Sequence, residues 1–260
     1  MEYKEIIKNS CYHDSTGMLL KGDCLEWMTK FPDNSISMVI TSPPYFLNKE
    51  YEKTITYKDY CLMMENCFIE FNRILIGGGY VVINFGDYFN SGNRFYQADV
   101  PSCYPASLNY FKWGVEIACM DLQSTRIWRK QFARMGIPFV CNKHPRPIFD
   151  YEHIWTFRKR NGDKNEFVND RKLSQRGVIG ENWTSKAGTN IHCSAFPVEL
   201  PIWALLVYSK EKDIVLDPFM GSGTTAVGSK NLNRKWIGIE KEKEYCDISI
   251  ELIKNYVKTT

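Results

Sequence analysis

The stretch DIVLDPFMGSGTTAVGSKNLNRKWIGIE, residues 213–240, constrains the fold more than any other part of the sequence. An apolar, strand-like run precedes Gly221-Ser222-Gly223, a helix-like run follows the glycines, and Glu240 ends the next strand-like run. Glycines let the backbone approach a ligand closely, and an acidic side chain about 20 residues later accepts hydrogen bonds from ribose hydroxyls. This order of elements therefore predicts a site for a nucleotide cofactor.

Three classes of cofactor compete for this site. A phosphate-binding NTPase loop requires a lysine after its second glycine, and Thr224 stands there instead. The glycine spacing matches a nicotinamide dinucleotide site locally, but only 37 residues follow Gly223, too few for the remaining strands of such a fold. S-adenosylmethionine has no phosphates, and it offers a ribose to Glu240 and an ammonium group to a carboxylate such as Asp217. The sequence favours this third class.

Strand-like and helix-like patterns alternate along most of the chain. Thr56 and Asp59 form a candidate capping box before a run with helical spacing, and we expect the glycines at 77–79 to end that helix. Strands that alternate with helices predict an α/β fold with a doubly wound, mostly parallel sheet. The predicted strands lie at residues 18–21, 37–41, 80–85, 213–216 and 235–239.

One stretch breaks this alternation. Residues 159–190 are polar, contain glycine and have no clear period, which predicts a small insertion. Residues 1–158 and 191–260 are then the two halves of a single domain. Positive charge is concentrated near the insertion, because residues 122–192 hold 14 Lys and Arg against 6 Asp and Glu, whereas the whole chain has a net charge of only +3. Such a separation indicates that a polyanion binds on this side.

The pentapeptide TSPPY, residues 41–45, follows a predicted buried strand. Proline fixes φ and lacks an N–H, so the two prolines make a stiff, extended turn in which backbone carbonyls stay unpaired. A hydroxyl, free carbonyls and an aromatic ring on such a turn suit the recognition of a flat, polar group. An ordinary tight turn is the alternative interpretation.

The nine cysteines include no C-x-x-C pair, which predicts reduced thiols in a cytoplasmic protein with no disulfide framework and no metal site. The sequence also has no apolar run long enough to span a membrane.

Taken together, the motifs resemble those of the β-class amino methyltransferases of DNA, in which the catalytic tetrapeptide comes early and the cofactor glycines come late. Residues 217–225, DPFMGSGTT, are similar to the family's cofactor motif, and HCSAFPVELP at 192–201 resembles the segment before it. KGDCLEWM, which contains Asp23, resembles the acidic motif that contacts the cofactor. The tetrapeptide SPPY at 42–45 resembles that of N4-cytosine enzymes, whereas adenine enzymes usually carry Asp at its first position.

This resemblance implies an S-adenosylmethionine-dependent methyltransferase fold in which residues 159–190 form a small target-recognition region. The implied catalytic residues are Ser42, Pro43, Pro44 and Tyr45. The implied cofactor-binding residues are Asp23, Thr41, Phe196, Asp217, Phe219, Gly221, Ser222, Gly223, Thr224 and Glu240. We expect DNA contacts from the basic residues Arg158, Lys159, Arg160, Arg171, Lys172 and Arg176. Taken alone, Asp23 is equally well explained as a helix cap.

The function implied is transfer of a methyl group to the N4 amine of cytosine in double-stranded DNA, with the base flipped out of the duplex. Methylation of adenine N6 and a DNA-binding adapter without catalysis remain as alternatives. The resemblance also leaves open a cognate restriction endonuclease as partner, within a restriction-modification system, and a homodimer.

Overall fold

The structure is a computed structural model that describes residues 3–45, 56–89, 103–130, 151–162, 173, 175–180, 183 and 196–256. Its strands are β1 (Tyr12–His13), β2 (Gly17–Lys21), β3 (Ile36–Thr41), β4 (Leu75–Phe85), β5 (Tyr88–Phe89), β6 (Cys103–Tyr104), β7 (Asp121–Arg129), β8 (Tyr151–Arg158), β9 (Val178–Ile179), β10 (Ile214–Asp217) and β11 (Lys235–Glu240). Its helices are α1 (Tyr3–Lys8), α2 (Cys24–Met28), α3 (Tyr57–Ile74), α4 (Ser107–Phe111), a π-helix (Lys112–Ile117), α5 (Glu199–Tyr208), α6 (Thr224–Asn231) and α7 (Lys243–Asn255).

Nine strands of the described ranges form one sheet, in the order β1-β2-β11-β10-β3-β4-β8-β7-β9. Strands β2, β11, β10, β3 and β4 run parallel to one another, whereas β1 is antiparallel to β2 and β8 is antiparallel to both β4 and β7. The connection after β3 leads to β4 on one side, and the connection after β10 leads to β11 on the other side. The sheet therefore changes winding direction between β3 and β10, and ligands of open α/β sheets bind at such a switch point.

Helices cover both faces of the sheet, as the predicted doubly wound fold requires. Helices α1 to α4 and the π-helix pack on one face, where Val39 points into a cluster with Phe68 and Phe71. Helix α5 packs on the other face against Met38 and Ile40, and α6 and α7 pack beside it over β2 and β11. Alternate residues of β3 reach opposite faces because side chains alternate along a strand.

The start of α3 is confirmed, but its end differs from the prediction. Thr56 and Asp59 form the capping box. The helix ends at Ile74 and the chain enters β4 at once, so the glycines at 77–79 lie inside a strand and do not end the helix. At Gly77 the absence of a side chain lets the backbone of Asn161 come close to the strand, because a Cβ there would stand 2.8 Å from the carbonyl oxygen of Asn161.

Most of the predicted insertion at 159–190 lies outside the described residues. Within the described part, β9 adds to the edge of the main sheet in parallel with β7. None of the helices in the described ranges is long and apolar enough to cross a lipid bilayer.

Candidate active site at the switch point

The two principal motifs meet at the carboxyl ends of neighbouring strands. Ser42 to Tyr45 follow β3, and Pro218 and Phe219 follow β10, which pairs with β3 through Val215 and Leu216. Glu240 ends β11, the next strand on the far side of β10. The fold thus gathers the candidate catalytic and cofactor residues at the point where the sheet reverses.

Asp217 joins these motifs from within the protein. It is 1% exposed, and its carboxylate accepts hydrogen bonds from the hydroxyls of Thr41 at 2.7 Å and Thr225 at 2.6 Å. The backbone N–H of Phe219 adds a third bond at 3.1 Å. Burial raises the pKa of Asp217 to about 6, although these bonds act in the opposite direction. Asp217 and Thr41 therefore fix the switch point from inside, and a contact of Asp217 with the ammonium group of the cofactor remains a prediction.

The glycine turn has the backbone geometry that its residues require. Gly221 and Gly223 have φ values of 54° and 90°, in the left-handed region where side chains are strained. Ser222 lies between them, and α6 begins at Thr224. The Ser249 hydroxyl of α7 donates a 2.6 Å hydrogen bond to the carbonyl of Gly221. The bond from Ser249 thus supports the turn on the side of α7, and the opposite side of the turn faces the switch point.

Glu240 binds this turn directly. One carboxylate oxygen accepts the N–H of Gly221 at 2.8 Å, and the other accepts the N–H of Glu242 at 2.8 Å. Burial raises the pKa of Glu240 while the backbone donors lower it. Because each carboxylate oxygen has two lone pairs, these bonds leave acceptor capacity for ligand hydroxyls. Glu240 therefore shapes the turn as well as being the predicted ribose partner.

Asp23 is the N-cap of α2. Its Oδ1 accepts the backbone N–H of Leu25 at 2.9 Å and of Glu26 at 3.4 Å, which confirms the helix-cap interpretation. The neighbouring Gly22 N–H donates to the carbonyl of Glu240 at 2.9 Å. The loop that carries Asp23 is therefore next to the end of β11, where a contact with the cofactor remains a prediction.

The tetrapeptide Ser42 to Tyr45 is held by polar contacts with two other strands. The hydroxyls of Ser42 and Tyr45 are 2.7 Å apart, and the Tyr45 hydroxyl is 3.2 Å from Asn84 Oδ1 and 3.3 Å from Glu152 Oε2. Burial raises the pKa of Tyr45 well above its ordinary value, so the phenol keeps its proton. The Tyr60 hydroxyl also donates to the carbonyl of Pro44 at 2.9 Å.

These contacts fix the direction of the hydrogen bonds. Asn84 donates its amide N–H to the carbonyl of His153, so its oxygen faces Tyr45. The amide oxygen of Asn84 and the carboxylate of Glu152 can only accept, and the Tyr45 proton is therefore directed toward them. The Tyr45 oxygen then accepts the proton of Ser42. With its proton committed, the Ser42 oxygen is available to a ligand as an acceptor.

Asn84 and Glu152 were not predicted from the sequence. Asn84 is 1% exposed inside the apolar strand YVVINF, and a polar residue in such a run is a signal that could have identified it. Glu152 lies in YEHIWTF, and no local pattern marks it as a partner of a residue 107 positions earlier.

Three of the predicted DNA contacts lie away from this site. Strand β8 pairs with β4 so that His153 is opposite Phe85, at the carboxyl end, and Arg158 is opposite Tyr80. Arg158 is five residues further along β8 than His153, which places it about 17 Å away, toward the amino ends of the parallel strands. Beyond it, Lys159 donates to the carbonyl of Leu75 at 2.8 Å.

The remaining predicted residues are distributed as follows. Arg160 forms an exposed ion pair with Asp121 at 2.7 Å, also beyond Arg158. The geometry thus gives no support to DNA contacts from residues 158–160. Arg176 is exposed just before β9, and Phe196 packs at the border of the cluster around α5. Arg171 and Lys172 lie outside the described residues.

A three-layer α/β/α fold with a glycine turn, an acidic strand end and a proline-stiffened turn at the switch point of its sheet defines the class of proteins that bind a nucleotide-type cofactor. Comparison with known proteins gives the family. The family model described as DNA methylase, for N6 and N4 methyltransferases, matches residues 36–251. This chain belongs to that DNA methylase family, and it is a DNA methyltransferase.

Individual relatives agree with this assignment. The Type II methyltransferase M.Cfr9I of Citrobacter freundii is 28% identical, with 91% of this chain and 87% of the relative covered. The orphan methyltransferase M.BamHII of Bacillus amyloliquefaciens is 31% identical, with 86% of this chain and 91% of the relative covered.

Solved structures share the fold. The cytosine-N4-specific PvuII DNA methyltransferase superimposes with a TM-score of 0.76 at 22% identity, covering 97% of this chain and 90% of that one. The complex of M1.HpyAVI with S-adenosylmethionine has a TM-score of 0.61 at 23% identity, covering 92% of this chain and 100% of that one.

S-adenosylmethionine is the cofactor, and the site suits it. Gly221 and Gly223 present backbone without a Cβ, and Glu240 retains acceptor capacity for ribose hydroxyls.

Proposed function

We propose that this enzyme methylates the exocyclic N4 amine of cytosine in double-stranded DNA. The observation that carries the proposal is the 2.7 Å contact between the hydroxyls of Ser42 and Tyr45 beside the acceptors Asn84 and Glu152, which assigns the Ser42 proton to Tyr45 and leaves the Ser42 oxygen as an acceptor. An amine donates two N–H groups and therefore complements an acceptor at this place. The SPPY tetrapeptide supports cytosine over adenine through its resemblance to N4-cytosine enzymes, and the fold shared with the PvuII enzyme agrees with it.

The residues of the turn have separate roles in this mechanism. The lone pair of the cytosine amine is delocalised into the ring, so the amine is a poor nucleophile. Acceptance of its two hydrogens by the Ser42 hydroxyl oxygen and the Pro43 carbonyl makes the nitrogen more tetrahedral and directs its lone pair outward. The prolines and the bond from Tyr60 to Pro44 hold these acceptors in place, so little reorganisation is needed during reaction.

S-adenosylmethionine supplies a methyl group on a cationic sulfur. We expect Glu240 to accept ribose hydroxyls, and the loops after β2 and β10 to enclose the rest of the cofactor. The other predicted cofactor residues are Asp23 after β2, Thr41 at the end of β3, Phe196 before α5, Asp217 at the end of β10, and Phe219, Gly221, Ser222, Gly223 and Thr224 after it. Thr41 and Asp217 act through the bonds that fix the switch point.

The target base has to leave the duplex, because its amine is paired there. Flipping costs a few kcal/mol, which stacking of the base on Tyr45 partly offsets. We expect the phosphates to be held by Arg171, Lys172 and Arg176 in the 159–190 region. Relatives named Type II methyltransferases suggest a role beside a restriction endonuclease, with the enzyme acting in the cytoplasm on the host's own DNA.

Nucleoside analysis of DNA methylated by the purified enzyme tests the proposal. DNA incubated with S-adenosylmethionine labelled in its methyl group is digested to nucleosides, and the label is followed by mass spectrometry. We expect it in N4-methylcytosine, whereas label in N6-methyladenine would overturn the assignment of the base. Sequencing that detects methylated positions in the host DNA then gives the recognition site.

A further inference from the structure

A carboxylate outside every motif is positioned behind the catalytic turn. Glu152 lies on β8, its side chain is 12% exposed, and its two oxygens have different partners. Oε2 faces the Tyr45 hydroxyl at 3.3 Å, and Oε1 forms an ion pair with Lys130, which also lies 5.4 Å from the centroid of the Trp128 ring. Ser42, Tyr45 and Glu152 thus form a continuous chain from the acceptor at the surface of the site to a carboxylate.

Methylation of an amine produces a proton that must be removed. When the nitrogen attacks, the N–C bond forms, the S–C bond breaks and its electron pair stays on sulfur. The nitrogen then carries a methyl group, two hydrogens and a positive charge, and one proton must leave to give the neutral product. Asn84 cannot take this proton, because an amide oxygen is a very weak base, although it lies as close to Tyr45 as Glu152 does.

We infer that Glu152 accepts this proton through Tyr45 and Ser42. Ser42 receives the proton from nitrogen and passes its own to the Tyr45 oxygen, and Tyr45 passes its own to Glu152. Each hydroxyl ends with the same number of protons as before, and Glu152 becomes a carboxylic acid that later releases its proton to solvent. Lys130 forms an ion pair with Glu152 on the side away from Tyr45. This inference rests on the proposed amine methylation, but it does not depend on which base carries the amine.

The inference makes Glu152 a positioning and proton-accepting residue with a measurable signature. In Glu152→Gln the amide oxygen still accepts from Tyr45, but it cannot take up a proton. We expect the single-turnover rate constant to fall by about 100-fold, the range typical of general-base removal. The KM for DNA and the dissociation constant of S-adenosylmethionine should stay within about 3-fold of wild type, because the bound geometry is kept.

The pH dependence gives a second readout. The wild-type rate should fall toward acidic pH, because a protonated Glu152 accepts nothing, and this fall should be absent in Glu152→Gln. The other titratable groups nearby are Lys130, Tyr45 and the ion pair between His153 and Asp87 at 2.9 Å. His153→Gln separates the contribution of that pair from the contribution of Glu152.

Matched variants control for loss of charge and for misfolding. Glu116→Gln makes the same chemical change at an exposed position of the π-helix and should leave the rate unchanged. Tyr45→Phe interrupts the same path, so the double variant Tyr45→Phe/Glu152→Gln should be no slower than the slower of the two single variants. Melting temperature and the fluorescence of 2-aminopurine at the target position report folding and base flipping independently of turnover.

The possible outcomes distinguish the two proposals. Suppose that the wild type methylates an amine, and that Glu152→Gln has the wild-type single-turnover rate constant and the same fall of that rate toward acidic pH. The proton path is then wrong, while the proposed function stands. If the product is N6-methyladenine and Glu152→Gln is slow, the path stands and the choice of cytosine is wrong. Simple addition of the losses in the double variant would also overturn the path. A wild-type protein that methylates neither amine overturns both.

Discussion

The hydroxyl of Thr41 donates a 2.7 Å hydrogen bond to the carboxylate of Asp217, although 176 positions separate the two residues in the sequence. Thr41 is the last residue of β3 and Asp217 the last residue of β10, so this bond joins the strand before SPPY to the strand before the glycine turn. The two halves of the site are therefore coupled at one buried contact.

Thr41→Val tests this coupling. Valine keeps the shape but removes a donor from a buried carboxylate, and we expect a loss of about 1–3 kcal/mol in the free energy of unfolding. Urea denaturation measures it. Thr156→Val is the matched control, because Thr156 is equally buried in a strand but makes only a 3.4 Å bond to Tyr208. Equal losses in the two variants would contradict a special role for Thr41.

Asp217 should make stability depend on pH. Its pKa of about 6 in the folded protein exceeds the ordinary 3.8, so the folded state binds more protons than the unfolded state between these values. Stability from this group is present below pH 4 and is lost as pH rises to about 6, by roughly 3 kcal/mol. Unfolding experiments from pH 4 to 7 without cofactor should show this slope, and Asp217→Asn should reduce it. A slope unchanged in Asp217→Asn would assign it to other groups.

Ser42→Ala should affect chemistry and not cofactor binding. Loss of one preorganised acceptor costs about 3 kcal/mol in the transition state, which corresponds to a rate decrease of about 100-fold or more. Tyr45 keeps its acceptors Asn84 and Glu152 in this variant, so the turn should stay in place. Single-turnover kinetics and calorimetric titration with S-adenosylmethionine separate the two effects. A parallel loss of cofactor affinity would argue against the role of Ser42 as the amine's acceptor.

Glu240→Ala should weaken S-adenosylmethionine binding by roughly 2 kcal/mol, about 30-fold in the dissociation constant, because ribose hydroxyls lose a charged acceptor. This substitution also removes the acceptor of the Gly221 N–H. Ser249→Ala controls for that effect, since it releases the carbonyl of the same glycine but leaves Glu240 intact. Calorimetry should show a much smaller loss for Ser249→Ala. Similar losses would mean that Glu240 acts only through the turn.

The sequence was sufficient for the fold class and the α3 capping box, because periodicity and turn residues are local signals. It was insufficient where contacts cross the sheet. The glycines at 77–79 have the composition of a helix stop, yet they serve a close approach by Asn161 that only tertiary packing creates. Glu152 reaches Tyr45 through the pairing of β8 with β4, which no local pattern specifies.

Two pairs of basic residues allow a test in which the same number of positive charges is removed at two different places in the protein. Lys159 and Arg160 lie near the amino ends of the parallel strands, at the opposite end of the sheet from the site. There the Lys159 ammonium donates hydrogen bonds to the side-chain oxygen of Asn34 and the carbonyl of Leu75. Arg171 and Lys172 belong to the sequence-predicted recognition region. If the latter two contact phosphates, Arg171→Ala/Lys172→Ala should reduce the slope of log K against log salt by about 2, whereas Lys159→Ala/Arg160→Ala should lower stability and leave that slope unchanged. Fluorescence anisotropy between 50 and 200 mM salt, a range chosen from the strong salt dependence of phosphate contacts, measures both slopes. A reduced slope in the Lys159→Ala/Arg160→Ala variant alone would instead assign the DNA-binding surface to the end of the sheet where Lys159 lies.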